Sequence, residues 1–428
     1  MVFKTLKQLW RLPEVRRRIL VSILLLTIVR FVAHVPLPGI DTAALANLFK
    51  TNQLFGLLDL FSGGALAQFS IAFMGVGPYI TASIIMQLLA HVIPSLEALK
   101  KEGEQGRMKI NQYTRYLTVP LGLVQAFGLL SLLRSGGVLT EVTISQLLTI
   151  LITGTAGTIL LMWLGELISE SGIGNGISLI ITIGILARVP TSIRNVINLV
   201  LGGGIFDSKQ FISIITFLAI ALAMVVFIVL INEAIRKIPI SYARRLRAGL
   251  APVNTYLPIK IAAAGVIPII FAVSVIVFPS IIASFFARAR SDFIANAASV
   301  FLDLYQPNGV IYSVSYFVLV IAFTYFYTAI IFRPQEIAEN LNKQGGFIPG
   351  VRPGSETAHY LKGVISRLTL PGSLFLGLIA TAPFLIQLIT GTQSLVVGGT
   401  GVLIVVSVAI ETYLAIRAHL LTRTYDAY

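Results

Sequence analysis

The stretch LFGLLDLFSGGALAQFSIAFMGVGPYITASIIMQLLAHVIP, from Leu54 to Pro94, decides how the whole chain is read. It is almost entirely apolar, yet as one helix it would reach about 60 Å, twice the ~30 Å of a hydrocarbon core. The helix must therefore break, and Ser62, Gly63 and Gly64 are the breakers. They leave a first piece that carries Asp59 and is too short to span, followed by a full span.

The rest of the chain puts that break in a membrane. Hydrophobic residues make up 56% of the sequence and charged residues 12%, with a mean hydropathy of +0.88. This lies far outside the range of soluble domains. The apolar residues form long runs separated by short charged segments, which predicts a polytopic helical bundle rather than a barrel of weakly alternating strands. There is no cysteine, which excludes disulfides, thiolate metal sites and cysteine nucleophiles. The four histidines, His34, His91, His359 and His419, have no ligand spacing. The basic start followed by an apolar run resembles a signal peptide but lacks a small-residue cleavage pattern, and is read as a retained first span.

Ten spans are expected: Ile19 to Val35, Phe69 to Ile93, Tyr116 to Leu133, Thr143 to Ile168, Ile177 to Val200, Phe211 to Ile231, Ile259 to Phe286, Val310 to Phe332, Val364 to Ile389 and Val396 to Ile416. Most of the 32 lysines and arginines fall at the N-terminus, in alternate connections and at the C-terminus. The positive-inside rule then puts both termini in the cytoplasm. One connection of that parity, GELISESGIGNG, has no Lys or Arg. The expected organisation is a cytoplasmic segment at 1–18, a first half at 19–200, a second half at 201–417 and a cytoplasmic tail at 418–428. Two cytoplasmic loops, 232–258 and 333–363, are longer than a turn between antiparallel helices needs. Their basic residues suit RNA phosphates or anionic lipid headgroups, and composition does not separate the two.

Several functions are disfavoured. Glu166, Glu170, Glu233, Glu336 and Glu411 lie near span ends, and only Arg30 sits well inside an apolar run, which argues against a coupled pump. No lysine follows a glycine, so a phosphate-binding GxxxxGK[ST] loop is impossible. The GIGNG of Gly172–Gly176 lacks dinucleotide-binding spacing and is expected to be a turn. No nucleophile, base and orienting group converge, so neither catalysis nor a cofactor is expected. More informative are the breaks inside spans: Gly75, Gly77 and Pro78 in span two, Gly265 and Pro268 in span seven. Non-helical backbone at membrane depth is tolerated where it is buried in protein or lines a cavity. Next to such breaks Ile80 and Ile84 share a helix face, as do Ile181 and Ile185 in span five.

Five strings, KKEGEQGRMKINQYTRYLT (Lys100 to Thr118), GIGNGISL (Gly172 to Leu179), AGVIPIIFA (Ala264 to Ala272), FYTAIIFRPQEIAENLNKQGGFIPGVRPG (Phe326 to Gly354) and GGTGVLIVVSVAIET (Gly398 to Thr412), resemble the bacterial form of the SecY family of protein-conducting channels. The resemblance covers essentially the whole chain in order. It implies an all-α polytopic membrane protein with ten transmembrane helices in two inverted, pseudosymmetric five-helix halves around a pore, with a short plug half-helix. It further implies a pore ring of Ile80, Ile84, Ile181, Ile185, Ile270 and Ile404. The plug would comprise Leu60, Phe61, Ser62, Gly63, Gly64, Ala65, Leu66, Ala67 and Gln68, within about 54–68.

By the same resemblance spans two and seven border a lateral gate opposite spans eight and three. Its residues would be Thr81, Ser83, Gln125 and Ala262, the last in place of the family's usual asparagine. Ser171 stands where relatives commonly have arginine. Arg244, Arg245, Arg247 and Arg352 would serve docking of the ribosome or of the SecA ATPase. The other partners implied are SecE and SecG, signal peptides and nascent polypeptides, and membrane lipids, in the bacterial plasma (inner) membrane. The function implied is passage of unfolded secretory polypeptides across the membrane and lateral release of transmembrane segments into lipid. The rivals are a secondary transporter of a small solute, which would need polar groups at the midplane, and a membrane-embedded scaffold or insertase without a through-pore.

Overall fold

The computed structural model describes residues 12–37, 45, 59, 62–135, 143–191, 194, 208–242, 255–262, 264–286, 291–306, 309–390 and 399–426. In chain order the elements are α1 (Pro13–Val32), α2 (Gly77–Val92), α3 (Pro94–Lys101), α4 (Glu104–Ser135), α5 (Ile144–Ser171), α6 (Gly176–Leu186) and α7 (Ser208–Glu233). There follow β1 (Ile235–Tyr242), β2 (Thr255–Lys260), α8 (Ile267–Phe286), α9 (Asp292–Leu304), α10 (Val310–Ile331), α11 (Pro334–Lys343), β3 (Gly346–Phe347), α12 (Ser355–Thr390) and α13 (Gly399–Asp426). Each of the ten expected spans overlaps one of these helices. Among the described residues four helices are long and apolar enough to cross a bilayer, and α2 with α3 makes a fifth if the two count as one.

The helix surfaces are apolar where a soluble protein would be charged. Val310, Val314 and Val318, one turn apart on α10, are all exposed, as are Leu218 and Leu222 on α7 and Leu20 and Leu24 on α1. Stripes at this spacing form a continuous apolar face, as expected of helices that meet lipid.

Local chemistry sets the element boundaries. Pro13 opens α1, where a missing N–H costs nothing. The side chains of Thr143 and Gln146 form a reciprocal capping box at the start of α5. The GIGNG segment is a turn, as expected: Asn175 Oδ1 accepts from the Ser178 N–H at 3.2 Å and starts α6. The turn is also tied to α1, because Arg18 donates to the Gly172 carbonyl at 3.2 Å and Ser22 Oγ accepts from the Ile173 N–H at 3.1 Å. The cation missing from that connection is thus brought by a neighbouring helix.

The second span differs from its expected bounds. Its helix begins at Gly77 rather than Phe69, and residues 63–76 form successive turns. Gly63, Gly64 and Gly75 have φ of 70°, 88° and 58°, in the left-handed region open to glycine, and Phe69 shares it at 43°. At the other end α2 meets α3 at a bend of 99° before Pro94. Span seven is also shortened: residues 255–260 are strand, 261, 262 and 264–266 are turn, and α8 starts at Ile267.

The all-helical expectation holds for the apolar part of the chain, and a three-stranded sheet in the order β2-β1-β3 is added at one end. β1 and β2 are antiparallel, with Ile235 opposite Lys260 and Ile240 opposite Thr255, so residues 235–242 and 255–258 of the expected loop are strand. Ile238 and Ile259 bury the inner face of the sheet against Ile348, Leu361 and Ile365. On the outer side the Lys237 ammonium lies 4.9 Å from the Tyr256 ring centroid. The 333–363 segment is ordered by α11, β3 and the first turns of α12.

The turns of 63–76 pack closely on α5. A Cβ on Gly157 would lie 2.0 Å from the Ile71 carbonyl oxygen, so only glycine lets that backbone approach the helix. Gly157→Val should lower the thermal unfolding midpoint of the purified protein through overpacking of about 1–3 kcal/mol; an unchanged midpoint would show that this approach is not required.

Candidate functional site

Five of the six expected ring residues, Ile80, Ile84, Ile181, Ile185 and Ile404, are buried in one apolar cluster, and half-buried Ile270 packs against it. They come from four helices: α2, α6, α8 and α13. α6 packs on α13 on one side, and α8 packs on α2 and α4 on the other, so the helices that carry the isoleucines also form the contacts between the first and second halves. The six isoleucine side chains themselves bring no ionisable group and no hydrogen-bonding atom.

The turns after the break are folded against this cluster. Gly63 lies on Gly184 of α6, between Ile181 and Ile185 in sequence: a Cβ on Gly184 would be 2.2 Å from the Gly63 Cα. Ala65 and Ala72 are themselves members of the cluster. Of the expected plug residues, Ser62, Gly63, Ala65 and Leu66 are buried, Gly64 is half-buried, and Ala67 and Gln68 are exposed. Leu60 and Phe61 lie outside the described residues, as do 54–58.

Polar side chains organise the segment from within. The fully buried Asp59 accepts through Oδ1 from the Ala67 N–H at 2.8 Å and from the Ser62 hydroxyl at 3.0 Å. Ser62 Oγ accepts from the Leu66 N–H at 3.0 Å. Two cations reach the segment from outside it. Arg30 of α1 donates to the Gly63 carbonyl at 2.8 Å, and Arg188, in the turn after α6, forms an ion pair with Asp59. The sequence had marked Arg30 by its place inside an apolar run and Asp59 by its place in the short piece. Arg188, inside the expected fifth span of Ile177 to Val200, had no such mark.

The expected gate residues separate into two places. Gln125 of α4 donates to Thr81 Oγ1 of α2 at 3.2 Å, while Ser83 accepts from Gln87 of its own helix at 3.2 Å. Ala262 is buried in the turn before α8, beside Gly372 of α12. The polar pair thus lies within the first half, and Ser274 of α8 bonds to the Ile270 carbonyl of its own helix at 3.0 Å. Arg244, Arg245 and Arg247 lie outside the described residues. Arg352 is exposed, with its carbonyl accepting from the Thr357 hydroxyl at 2.8 Å.

At the sheet-bearing end a cavity of about 650 Å³ separates the α3–α4 turn from α10 and α11, lined by Lys100, Lys101, Arg107, Arg333 and Glu336. Burial, then the neighbouring Arg333 and Arg107, pushes the Lys100 ammonium below its ordinary pKa. Arg333 pairs with Glu336 at 2.6 Å and Lys101 with Glu97 at 2.9 Å, which leaves Lys100 and Arg107 without a carboxylate partner among the described residues.

The SecY family model matches residues 70–413. The protein translocase subunit SecY of Streptomyces galbus is 42% identical over 437 residues, covering 98% of each chain. The chain belongs to the SecY family. Among solved structures, one described as the plug domain of the SecY protein stabilising the closed state of the translocation channel matches with a TM-score of 0.68 at 20% identity, over 96% of this chain and 94% of that one. Sec61 in the canine ribosome–channel complex from the endoplasmic reticulum matches with a TM-score of 0.66 at 21% identity, over the same shares. The protein is a multi-pass membrane protein and the pore-forming subunit of a protein translocase.

The Thr81–Gln125 bond is the polar tie between α2 and α4 in this region. Gln125→Leu should loosen that wall by about 0.6 kcal/mol, and by no more than about 1.7, the range of side-chain hydrogen bonds between membrane helices. The thermal midpoint of the purified protein should fall accordingly, and an unchanged midpoint would mean that the bond adds nothing.

Proposed function

We propose that the channel is closed at two levels, by a ring of Ile80, Ile84, Ile181, Ile185, Ile270 and Ile404 and by a plug that includes Ser62–Gln68. The observation that carries this is the backbone contact of Gly63 with Gly184, which seats the folded-back segment against the helix that supplies Ile181 and Ile185. Branched aliphatic side chains cannot replace an ion's hydration shell and favour dewetting, so the ring resists ions. They also carry no sequence preference, so unfolded polypeptides of any composition can slide past.

A signal sequence or transmembrane segment would leave sideways between α8 and the α2–α4 wall, near Thr81, Ser83, Gln125 and Ala262. What supports this is the apolar character of that contact, which a helix of suitable apolar length can replace. The driving force would come from a bound partner, the SecA motor or a translating ribosome, docked on Arg244, Arg245 and Arg247, which lie between β1 and β2 in sequence, and on Arg352. SecE and SecG would complete the channel. The membrane would be the bacterial plasma membrane, with both termini and the sheet in the cytoplasm, in line with the positive charge gathered at that end. A small-solute transporter is not favoured, because the converging side chains at the constriction are apolar.

Reconstituted with its partner subunits and motor, the protein should render a secretory precursor resistant to external protease inside vesicles; no protection in a competent system would overturn the channel function. Deletion of Leu60 to Gln68 should leave a folded protein whose resting state leaks ions, whereas loss of folding would make this segment ordinary core. Ile84→Asn or Ile270→Asn should raise resting conductance severalfold by letting water persist in the constriction. Unchanged conductance would remove those residues from the ring.

A further inference from the structure

The plug segment is small and weakly polar, and by packing alone it would be held loosely. Asp59 changes that. Its carboxylate is fully buried, and a buried carboxylate is tolerated only when it is paired and hydrogen-bonded. Oδ1 is occupied by the Ala67 N–H and the Ser62 hydroxyl, both within the segment. The charge itself is met from outside by Arg188, whose side chain remains 34% exposed. Arg188 is placed by its own backbone: its N–H donates to the Ile185 carbonyl at 3.1 Å, and its carbonyl accepts from Thr191 Oγ1 at 2.7 Å. Arg30 holds the adjoining peptide through the Gly63 carbonyl. Two cations from two different helical segments therefore fasten one end of the plug, next to the Gly63–Gly184 contact.

We infer that Asp59, Arg188 and Arg30 form a charge latch that positions the plug in the closed channel and sets how readily it leaves. This rests on the plug role proposed above. A buried pair is worth little relative to the same two ions in water, because desolvation offsets the attraction, but removing one member strands the other and is costly. The latch therefore opens where water can reach both partners, and the partly exposed Arg188 gives water that route. In the seated state each ion requires the other, whereas in the displaced state neither does. Single neutralisations must consequently favour plug release more than the double neutralisation does.

The chain has no cysteine, so Ala65→Cys, at a fully buried plug position, gives one reporter for a water-soluble thiol reagent. In the full chain reconstituted with its partner subunits, Arg188→Gln and Asp59→Asn should each raise labelling of that reporter and resting conductance by on the order of tenfold, discounted from the full cost of a stranded buried charge because Arg188 is partly solvated. The double variant should return most of the way to the parent. Arg188→Lys, which keeps the charge, should stay near the parent, as should Arg194→Gln, which removes an exposed cation from the same connection. Equal effects of Arg188→Lys and Arg188→Gln, additive single and double effects, or unchanged labelling in Arg188→Gln would each overturn the latch. Leak on deleting Leu60 to Gln68 without any effect of Arg188→Gln would refute the latch and leave the plug; no leak on the deletion would refute the plug itself.

Discussion

A peptide group in hydrocarbon without a hydrogen-bond partner costs several kcal/mol, and the turns of residues 63–76 run among buried residues of a membrane bundle. Every other feature of the site follows from how that backbone is satisfied. Short-range bonds do part of it: Phe69 N–H to Leu66 O at 3.0 Å, Phe73 N–H to Ser70 O at 2.9 Å, Gly75 N–H to Ala72 O at 2.7 Å. The chain after α1 does more, through Ile71 N–H to Val35 O and Leu37 N–H to Phe69 O, both at 2.9 Å. Side chains complete the set, with Asp59, Ser62 and Ser70 accepting from Ala67, Leu66 and Ala72. The few polar residues in an otherwise apolar stretch are there because the backbone leaves the helix.

Once the turns are self-satisfied, the segment can approach other elements as a compact body. Glycine makes the approach possible at Gly63–Gly184 and at Gly157 facing Ile71, where a Cβ would meet backbone. Phe69 and Phe73, stacked at 4.8 Å, anchor the far side of the segment in a second cluster with Leu66, Leu129 and Leu133. The segment therefore bridges two apolar clusters, one that includes the isoleucines and one between α4 and α5. Its first turns pack on the isoleucine-bearing cluster and its later turns on the second one, so a displacement of the proposed plug would hinge within the segment.

Much of this was legible in the sequence. The length of the Leu54–Pro94 run against the bilayer demanded a break, and Ser62-Gly63-Gly64 named its place, because left-handed backbone is open mainly to glycine. The isoleucine pairs were legible as helix-face repeats, but their convergence with Ile270 and Ile404 depends on tertiary packing that periodicity does not encode. The paired strands Ile235–Tyr242 and Thr255–Lys260 were missed because Pro239 and Pro258 mask their pattern. Arg188 was missed for a different reason. Counting charges for topology treats each cation as equivalent, whereas one that turns back toward a buried carboxylate has a structural task its sequence neighbours do not show.

The two ways out of the channel are held by forces of different kinds. Where α8 meets α2 both contribute to one apolar cluster, and lipid chains are as apolar as the helices they would replace, so parting the proposed seam toward the bilayer would lose packing but little hydrophobic free energy. The proposed plug would be held by a buried carboxylate and two arginines, whose loss is compensated only by water. Lateral opening is therefore easiest into lipid and axial opening easiest into solvent. A substrate that brings an apolar helix to the seam does nothing directly for the charge pair, and one that brings water or polar chain to the plug does nothing directly for the seam. Coupling between the two must pass through the elements they share, α2, which continues the plug segment, and the isoleucine-bearing α6 and α8. The proposed ring would thus stand at the mechanical junction of both exits, a place suited to side chains that fit equally against a plug, a helix or a passing chain.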